Sequence, residues 1–322
     1  MKKLIFAFAG FMALHAQANS VWVEQNKLVG EIGGWKVYAK EQPPAKASSN
    51  QNIFTLNQAV ERMLSHQLDS VNYLPGSESM TDYYVLSPAQ RSALQQRYAI
   101  IYETSKSYYE LVAQREKLSH MEDVLNAVEA ASELTDRMYK VGNVNELKLL
   151  NQKKDLYKKR LEYKALEAKH VEAKERFIQR LNFVNRDLNL AVEPRLPELP
   201  KDSRKLTDKE QRSINLGTIS NPGSVQIRSL NRISYENYLE KFNKAKSYKE
   251  DILPTQKKIS EENLLRYNGM LIDVFHLLED AEKQSKTVIE YIDANLALLI
   301  QAAKLEKDLI DAQMDFSNIN VR

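Results

Sequence analysis

Cysteine is absent from the 322 residues. Disulfides, thiolate metal sites and a lipid-modified N-terminal cysteine are thereby excluded. Glycine and proline are scarce, at nine each, which speaks against an all-β protein. No charge of one sign dominates, with 46 Lys and Arg against 43 Asp and Glu. Past the N-terminus no run approaches the roughly 20 apolar residues of a membrane helix. No Ser-His-Asp order, glycine-rich phosphate loop or close carboxylate pair stands out, so no catalytic residue, no enzymatic activity and no cofactor are expected. His66, His120, His170 and His276 are never three or four residues apart, and no metal site is expected of them.

What is present begins with an export signal. Lys2 and Lys3 precede an apolar run from Leu4 to Leu14, and Ala16-Gln17-Ala18 offers small residues for cleavage. Residues 1–18 are therefore set aside from the fold. Ser20 is a second cleavage point, and an uncleaved anchor is the alternative reading. Residues 19–52 carry no helical period. Val21–Val23 and Lys27–Tyr38 read as short strands around Gly33-Gly34, and Gln42–Asn50 as a linker.

Helical periods begin at Thr55. Thr55 is an N-cap candidate for a helix to about Val71, with Leu56, Ala59, Val60 and Met63 on one face. After an irregular stretch with Pro75-Gly76, Ser87-Pro88 opens a much longer helix, Ser87 as cap and Pro88 at its first position. Leu94, Tyr98, Ile101, Ser105, Tyr108 and Val112 alternate steps of four and three. A displaced stripe follows through Val124, Ala127, Ala131, Leu134, Met138 and Val141, and another through Leu118, Met121, Leu125 and Val128. Such spacing marks coiled-coil seams, and several stripes on one helix mean packing on more than one side. From Pro88 to Tyr139 the helix would run roughly 75 Å.

Gly142 ends it by supplying left-handed backbone. Asn143 or Asn145 can cap a return helix to about Asn185, with Leu147, Leu150, Tyr157, Leu161, Ala165, Ala168, Phe177, Leu181 and Val184 at helical spacing. Three prolines between Glu193 and Pro200 then enforce an extended strap. Residues 201–229 are polar, with Asn221-Pro222-Gly223 as a turn. The helical period resumes near Ile233, is kinked or restarted at Pro254, breaks at Gly269 and continues in a last helix through Leu271, Val274, Leu278, Ala281, Ser285, Val288, Ile292, Leu296, Leu299 and Ala303. Domains follow from this pattern: a first helical repeat at 53–190, a strap at 191–206 and a second repeat at 207–322. The run Lys153–Arg160 is read as a solvated helix face balanced by Asp155, Glu162 and Glu167, without nucleic acid as partner. Tyrosines such as Tyr83, Tyr84, Tyr98, Tyr102, Tyr108 and Tyr109 crowd one end of the first long helix. Packing between helices, or an aromatic zone near a membrane surface, accounts for them.

Two places look alike: Leu134–Leu147 and Asn263–Phe275 each pass through a Tyr and a lone Gly between helices, the glycines 269 − 142 = 127 residues apart. Met138-Tyr-Lys-Val-Gly142 and Arg266-Tyr-Asn-Gly269, with Thr55–Leu64, Tyr108–Ala113, Leu196–Pro200 and Asp251–Pro254, resemble in order and spacing the TolC family of outer-membrane efflux proteins. The resemblance covers about residues 53–310. It implies a mainly α protomer of two long antiparallel hairpins, assembled as a trimer into a helical tube in the periplasm or outer membrane of a Gram-negative bacterium. A periplasmic adaptor and an inner-membrane pump would be its partners. Tyr139, Gly142, Asn143, Asn145, Glu146, Tyr267, Gly269 and Asp273 would form the tips that meet the adaptor.

Three features qualify that picture. The family's barrel strands would fall at 73–87 and about 217–230. Met80–Leu86 and Ser224–Arg228 offer at best stubs there, against the 9–11 residues of a membrane strand. The barrel is therefore expected to be reduced or absent. Lys148 stands where the family usually shows an acidic residue. The phrase Arg266–Phe275 resembles a subset of the family associated with copper handling, but no Met- or His-rich patch accompanies it. The competing expectation is a periplasmic coiled-coil scaffold derived from such a channel and lacking a pore.

Overall fold

The computed structural model describes residues 53–67, 87–183, 190–215 and 222–319. The signal, the segment at 19–52 and the stub Met80–Leu86 lie outside the described residues. In chain order the elements are β1 (Ile53–Phe54), α1 (Leu56–Gln67), α2 (Pro88–Lys140), α3 (Glu146–Arg180), β2 (Ala191–Val192), α4 (Asp208–Asn215) and α5 (Pro222–Ser247). A π-helical turn (Tyr248–Ile252), α6 (Leu253–Asn268) and α7 (Val274–Ile319) complete them. The 53 residues of α2 span about 80 Å.

Side chains named for caps take those positions. Thr55 and Gln58 exchange side-chain and backbone hydrogen bonds, at 2.9 and 3.4 Å, and Ser87 with Gln90 does the same at 2.9 and 3.3 Å. Each box satisfies two backbone donors that a helix start would otherwise leave orphaned. Thr207 and Glu210 build a third box ahead of α4. Here the sequence expectation needs correction. Residues 201–229, read only as a polar stretch with a turn, contain α4. Helix α5 already begins at Pro222 instead of near Ile233. The Asn221–Gly223 turn is thus replaced from Pro222 onward by helix, Asn221 lying outside the described residues. The stub Ser224–Arg228 is helical and not a strand. Proline is tolerated at a helix start, where its missing N–H costs nothing, and so Pro222 opens the helix.

The chain forms two compact units. One consists of Leu118–Leu166 with Ile252–Ile289. In it α2 and α3 run antiparallel, their register marked by ion pairs Asp136–Lys153 and Glu129–Arg160, whose residue numbers both sum to 289. Between those arms Met121, Val124, Val128 and Leu156 are buried. The α3 stripe read from sequence behaves otherwise: Leu147, Leu150, Tyr157 and Leu161 are exposed. The inward face of α3 is the neighbouring stripe of Leu149 and Leu156.

The other unit comprises the described parts of Ser48–Lys117, Glu167–Asp251 and Glu290–Arg322. Its two-residue strands pair in parallel, Ile53 with Ala191 and Phe54 with Val192. Around them Tyr108 and Phe177 are fully buried, ring centroids 5.6 Å apart, with Phe54 edge-on to Phe177 at 6.4 Å. The Tyr108 hydroxyl donates to the Phe54 carbonyl at 3.2 Å. Burial, with Glu193 nearby, pushes that phenol far above its ordinary pKa, so it remains a donor.

The strap is held at both of its peptide edges. Leu196 N–H donates to Glu116 at 3.1 Å, and Asn295 donates to the Pro197 carbonyl at 3.0 Å. Leu199 joins Tyr238, Phe242, Leu298, Leu305 and Leu309 in a second core between α5 and α7. Truncation of Phe177 to Ala is expected to cost about 3–5 kcal/mol through a buried cavity. Tyr108→Phe removes one hydrogen bond and should cost about 0.5–1.5 kcal/mol. Urea unfolding of the two variants checks both magnitudes and their order.

Candidate functional site: the two hairpin tips

Both tips close by the same hydrogen bonds. After α2, the N–H groups of Gly142 and Asn143 donate to the carbonyls of Tyr139 and Met138, at 3.0 and 2.8 Å. After α6, Met270 and Leu271 donate to Tyr267 and Arg266, both at 2.9 Å. This is the six-to-one, five-to-two closure in which one residue adopts left-handed backbone. In the first tip that residue is Gly142, φ +78°, and in the second it is Met270, φ +58°. Asn145, not Asn143, caps α3 by accepting the Lys148 N–H at 2.9 Å, and Asp273 caps α7 by accepting the His276 N–H at 3.0 Å.

Matching positions in the two tips are therefore 128 residues apart: Tyr139 with Tyr267, Gly142 with Met270, Asn145 with Asp273. The glycines, 127 apart, are not equivalent. Gly269 has φ −80° and occupies the place of Val141. Sequence gave no means of choosing between the two offsets, because glycine marks a helix end without saying which of its last positions it fills.

The tips lie together in the first unit. Ala127, Ala131, Leu134 and Met138 of α2 share one buried cluster with Tyr267, Val274, Leu277 and Leu278. The two tyrosines consequently differ in role. Tyr267 is 2% exposed and belongs to the core, where burial raises its pKa. Its counterpart Tyr139 is 41% exposed. Gly142, Asn143, Asn145, Glu146, Gly269 and Asp273 are all at the surface. Around them Val141, Leu147, Met270 and Leu271 are exposed too. Val141 thus ends the α2 stripe in solvent instead of continuing its buried seam. The sequence reading had put Val141, Leu147 and Leu271 on helical stripes, Leu271 in the last helix, but that helix begins only at Val274 and all three side chains are exposed. Their signal was position: each lies beyond a helix end or at a first turn, where no seam can cover it.

Electrostatics tie the tips further. Lys148 stacks its ammonium over the Phe275 ring at 4.1 Å. The His276 ring nitrogen Nδ1 lies 2.7 Å from the Asp273 carboxylate. Partial burial would raise the Asp273 pKa, but the hydrogen bonds from His276 and the nearby charges of His276 and Lys148 outweigh it and hold the carboxyl below its usual range. Among the described residues no group of three or more His, Asp or Glu could hold a metal ion. No described helix is long and apolar enough to cross a membrane.

Long antiparallel hairpins with paired tips, and a proline-rich strap between the repeats in sequence, make a fold that known structures share. The fold is similar to a membrane protein from Pseudomonas aeruginosa, with TM-score 0.53 and 11% identity over 69% of this chain and 70% of that one. It is similar to the outer-membrane channel OprN, with TM-score 0.50 and 14% identity over 70% and 69%. The Campylobacter jejuni CmeC outer membrane channel gives TM-score 0.53 and 11% identity over 72% and 67%. No protein-family model and no curated protein sequence matches the chain. The expected fold, mainly α with two long hairpins and, among the described residues, almost no strand, is borne out, and so is the resemblance in fold to TolC-like channels.

Two measurements follow from the tip geometry. Gly142→Ala should destabilise by about 1 kcal/mol, since a side chain is forced into left-handed backbone. Gly269→Ala should be neutral or gain up to about 1 kcal/mol, because its φ is ordinary and an added Cβ meets nothing nearer than 3.5 Å. Thermal unfolding distinguishes them. The Asp273 contribution to stability is present above the ordinary carboxylate pKa of about 3.9 and is lost as pH falls through its lowered folded value. Asp273→Asn should therefore weaken the protein at neutral pH and converge with wild type in acid, as measured by urea midpoints across pH.

Proposed function

We propose that this chain is an outer-membrane-factor-like component of a tripartite export system, exported to the periplasm or outer membrane, where it forms or caps a helical conduit. The observation that carries this reading is the pairing of two capped tips in one apolar cluster, with Tyr139, Val141, Leu147, Met270 and Leu271 left facing solvent. Exposed apolar groups of this kind mark sites of protein contact. The tips would meet a periplasmic adaptor, and through it an inner-membrane pump. Residues 53–190 and 207–322 are read as two helical repeats joined by the strap at 191–206. No catalytic role is assigned. Homo-oligomerisation, as a trimer, would supply the tube.

A second reading is favoured by one observation: Ser224–Arg228, placed where a barrel strand would be needed, is helical. The chain would then be a periplasmic scaffold without a pore. Planar-bilayer recordings separate the two, with unitary conductance expected of a channel and none of a scaffold that remains water-soluble without detergent. Deletion of the gene should sensitise the host to exported toxic compounds. Wild type should restore resistance, and a Val141→Asp, Leu271→Asp double variant should not. Full restoration by that variant would remove the tips from the docking role.

A further inference from the structure

In the unit that holds the strap, a groove of about 270 Å³ lies between α5 and α7. Its floor is tied across the two helices. The buried Ser234 hydroxyl donates to the Asp308 carboxylate at 2.7 Å, and Gln301 donates to the Ser234 carbonyl at 3.1 Å. Three polar groups along the groove are left incompletely answered. Asn231 is 2% exposed, and its Nδ2 has no hydrogen-bond partner among the described residues. A buried amide donor left open is costly and rare. Lys304 and Asp308 stand one turn apart on α7, the spacing at which opposite charges ordinarily pair. Here they form no ion pair. Asp308 is held by Ser234, the neighbouring Lys307 is committed to Asp311 at 2.6 Å, and Lys304 has no ionic partner among the described residues. Beside these groups the groove presents Ile227, Leu230 and Ile233 of α5, the last two largely exposed.

We propose that this groove binds a free apolar α-amino acid, whose carboxylate meets Lys304 and whose ammonium meets Asp308. Side chains one turn apart on a helix start from Cβ atoms about 5–6 Å from each other. The two charged ends of an α-amino acid share one carbon, so a single small zwitterion bridges the pair. A peptide, with at least one residue between its charged ends, does not. The carboxylate also supplies the acceptor that Asn231 Nδ2 lacks, and the apolar side chain covers Leu230 and Ile233. A simple cation would leave Lys304 and Asn231 unanswered, a simple anion would leave Asp308, and a hydrocarbon would leave all three. The volume lies below the roughly 300–1,000 Å³ of pockets for drug-sized ligands, which suits so small a molecule. The site needs neither a ring of copies nor an adaptor, and so it stands apart from the export reading.

Isothermal titration of the full chain with L-leucine should show one saturable site per chain. Leucinamide lacks the carboxylate and N-acetyl-leucine lacks the ammonium, and each should bind about tenfold more weakly, the effect of losing one charged hydrogen bond. Lys304→Gln changes an exposed side chain. It should weaken leucine about tenfold and leave leucinamide unchanged, because the amide offers Lys304 no charge to meet. Asp308→Asn should weaken leucine and leave N-acetyl-leucine unchanged. Since Asp308 also holds Ser234, circular dichroism checks that this variant folds, and if it does not, the Lys304 variant and the two analogues decide. Absence of saturable binding overturns the proposal. So does binding of either analogue, or of leucyl-leucine, as tight as that of leucine, and so does undiminished leucine binding by Lys304→Gln.

Discussion

The burial of Met138 and Tyr267 in one cluster is the contact on which the tip arrangement depends. A long hairpin is stable only where each arm covers the apolar stripe of another. At a turn that cover runs out, since the chain must leave helical geometry to reverse. Here the two turns supply it for each other. Leu134 and Met138 from α2 meet Tyr267, Val274 and Leu278 from the second hairpin, and the capping residues Asn145 and Asp273 satisfy the backbone donors that the reversal exposes. Caps fix where each turn lies, and burial fixes which residues of the turn stay at the surface.

In the second unit the same problem is met by a different device. The strap cannot form helix because three prolines forbid it, yet its peptide groups are not left to water. Glu116 accepts from Leu196, and Asn295 donates to Pro197. Burial raises the Glu116 pKa, opposed in part by the Leu196 bond and the charge of Arg195. A two-residue parallel pair, Ile53–Phe54 with Ala191–Val192, sets the strap's beginning beside the start of α1. The aromatic cluster of Phe54, Tyr108 and Phe177 then fills the space that so short a sheet cannot.

Much of this was legible in the order of residues. The caps at Thr55 and Ser87 and the reversals near Gly142 and Gly269 rest on local chemistry, and local chemistry is what a sequence displays. Three features escaped for physical reasons. Helix α4 and the start of α5 are polar and short on periodic apolar residues, so they read only as a polar stretch until the capping box at Thr207–Glu210 is given its weight. The left-handed position of the second tip went to Met270, a residue with no preference for it, because the closure needs its place in the hydrogen-bond pattern more than it needs glycine. The face of α3 turned inward could not be chosen from two parallel stripes: Leu147, Leu150, Tyr157 and Leu161 make the more regular seam, but Leu149 and Leu156 are the buried ones. Tyr139 and Tyr267 show the same limit. Identical residues at matching places differ in exposure because only one lies against a neighbour.

The register of the first hairpin bears on how such rods can change size. Asp136 with Lys153 and Glu129 with Arg160 keep a constant sum of residue numbers, so outward and homeward arms are locked in step. An insertion in one arm alone would throw every rung above it out of alignment. Growth or shrinkage must come in matched amounts on both arms, in multiples of seven that return each stripe to its own side. The π-helical turn at Tyr248–Ile252 is the kind of place where that arithmetic relaxes, since a widened turn can absorb a single extra residue without disturbing what lies beyond. Reach across a gap of given width would then be quantised, with fine adjustment left to a single loosened coil.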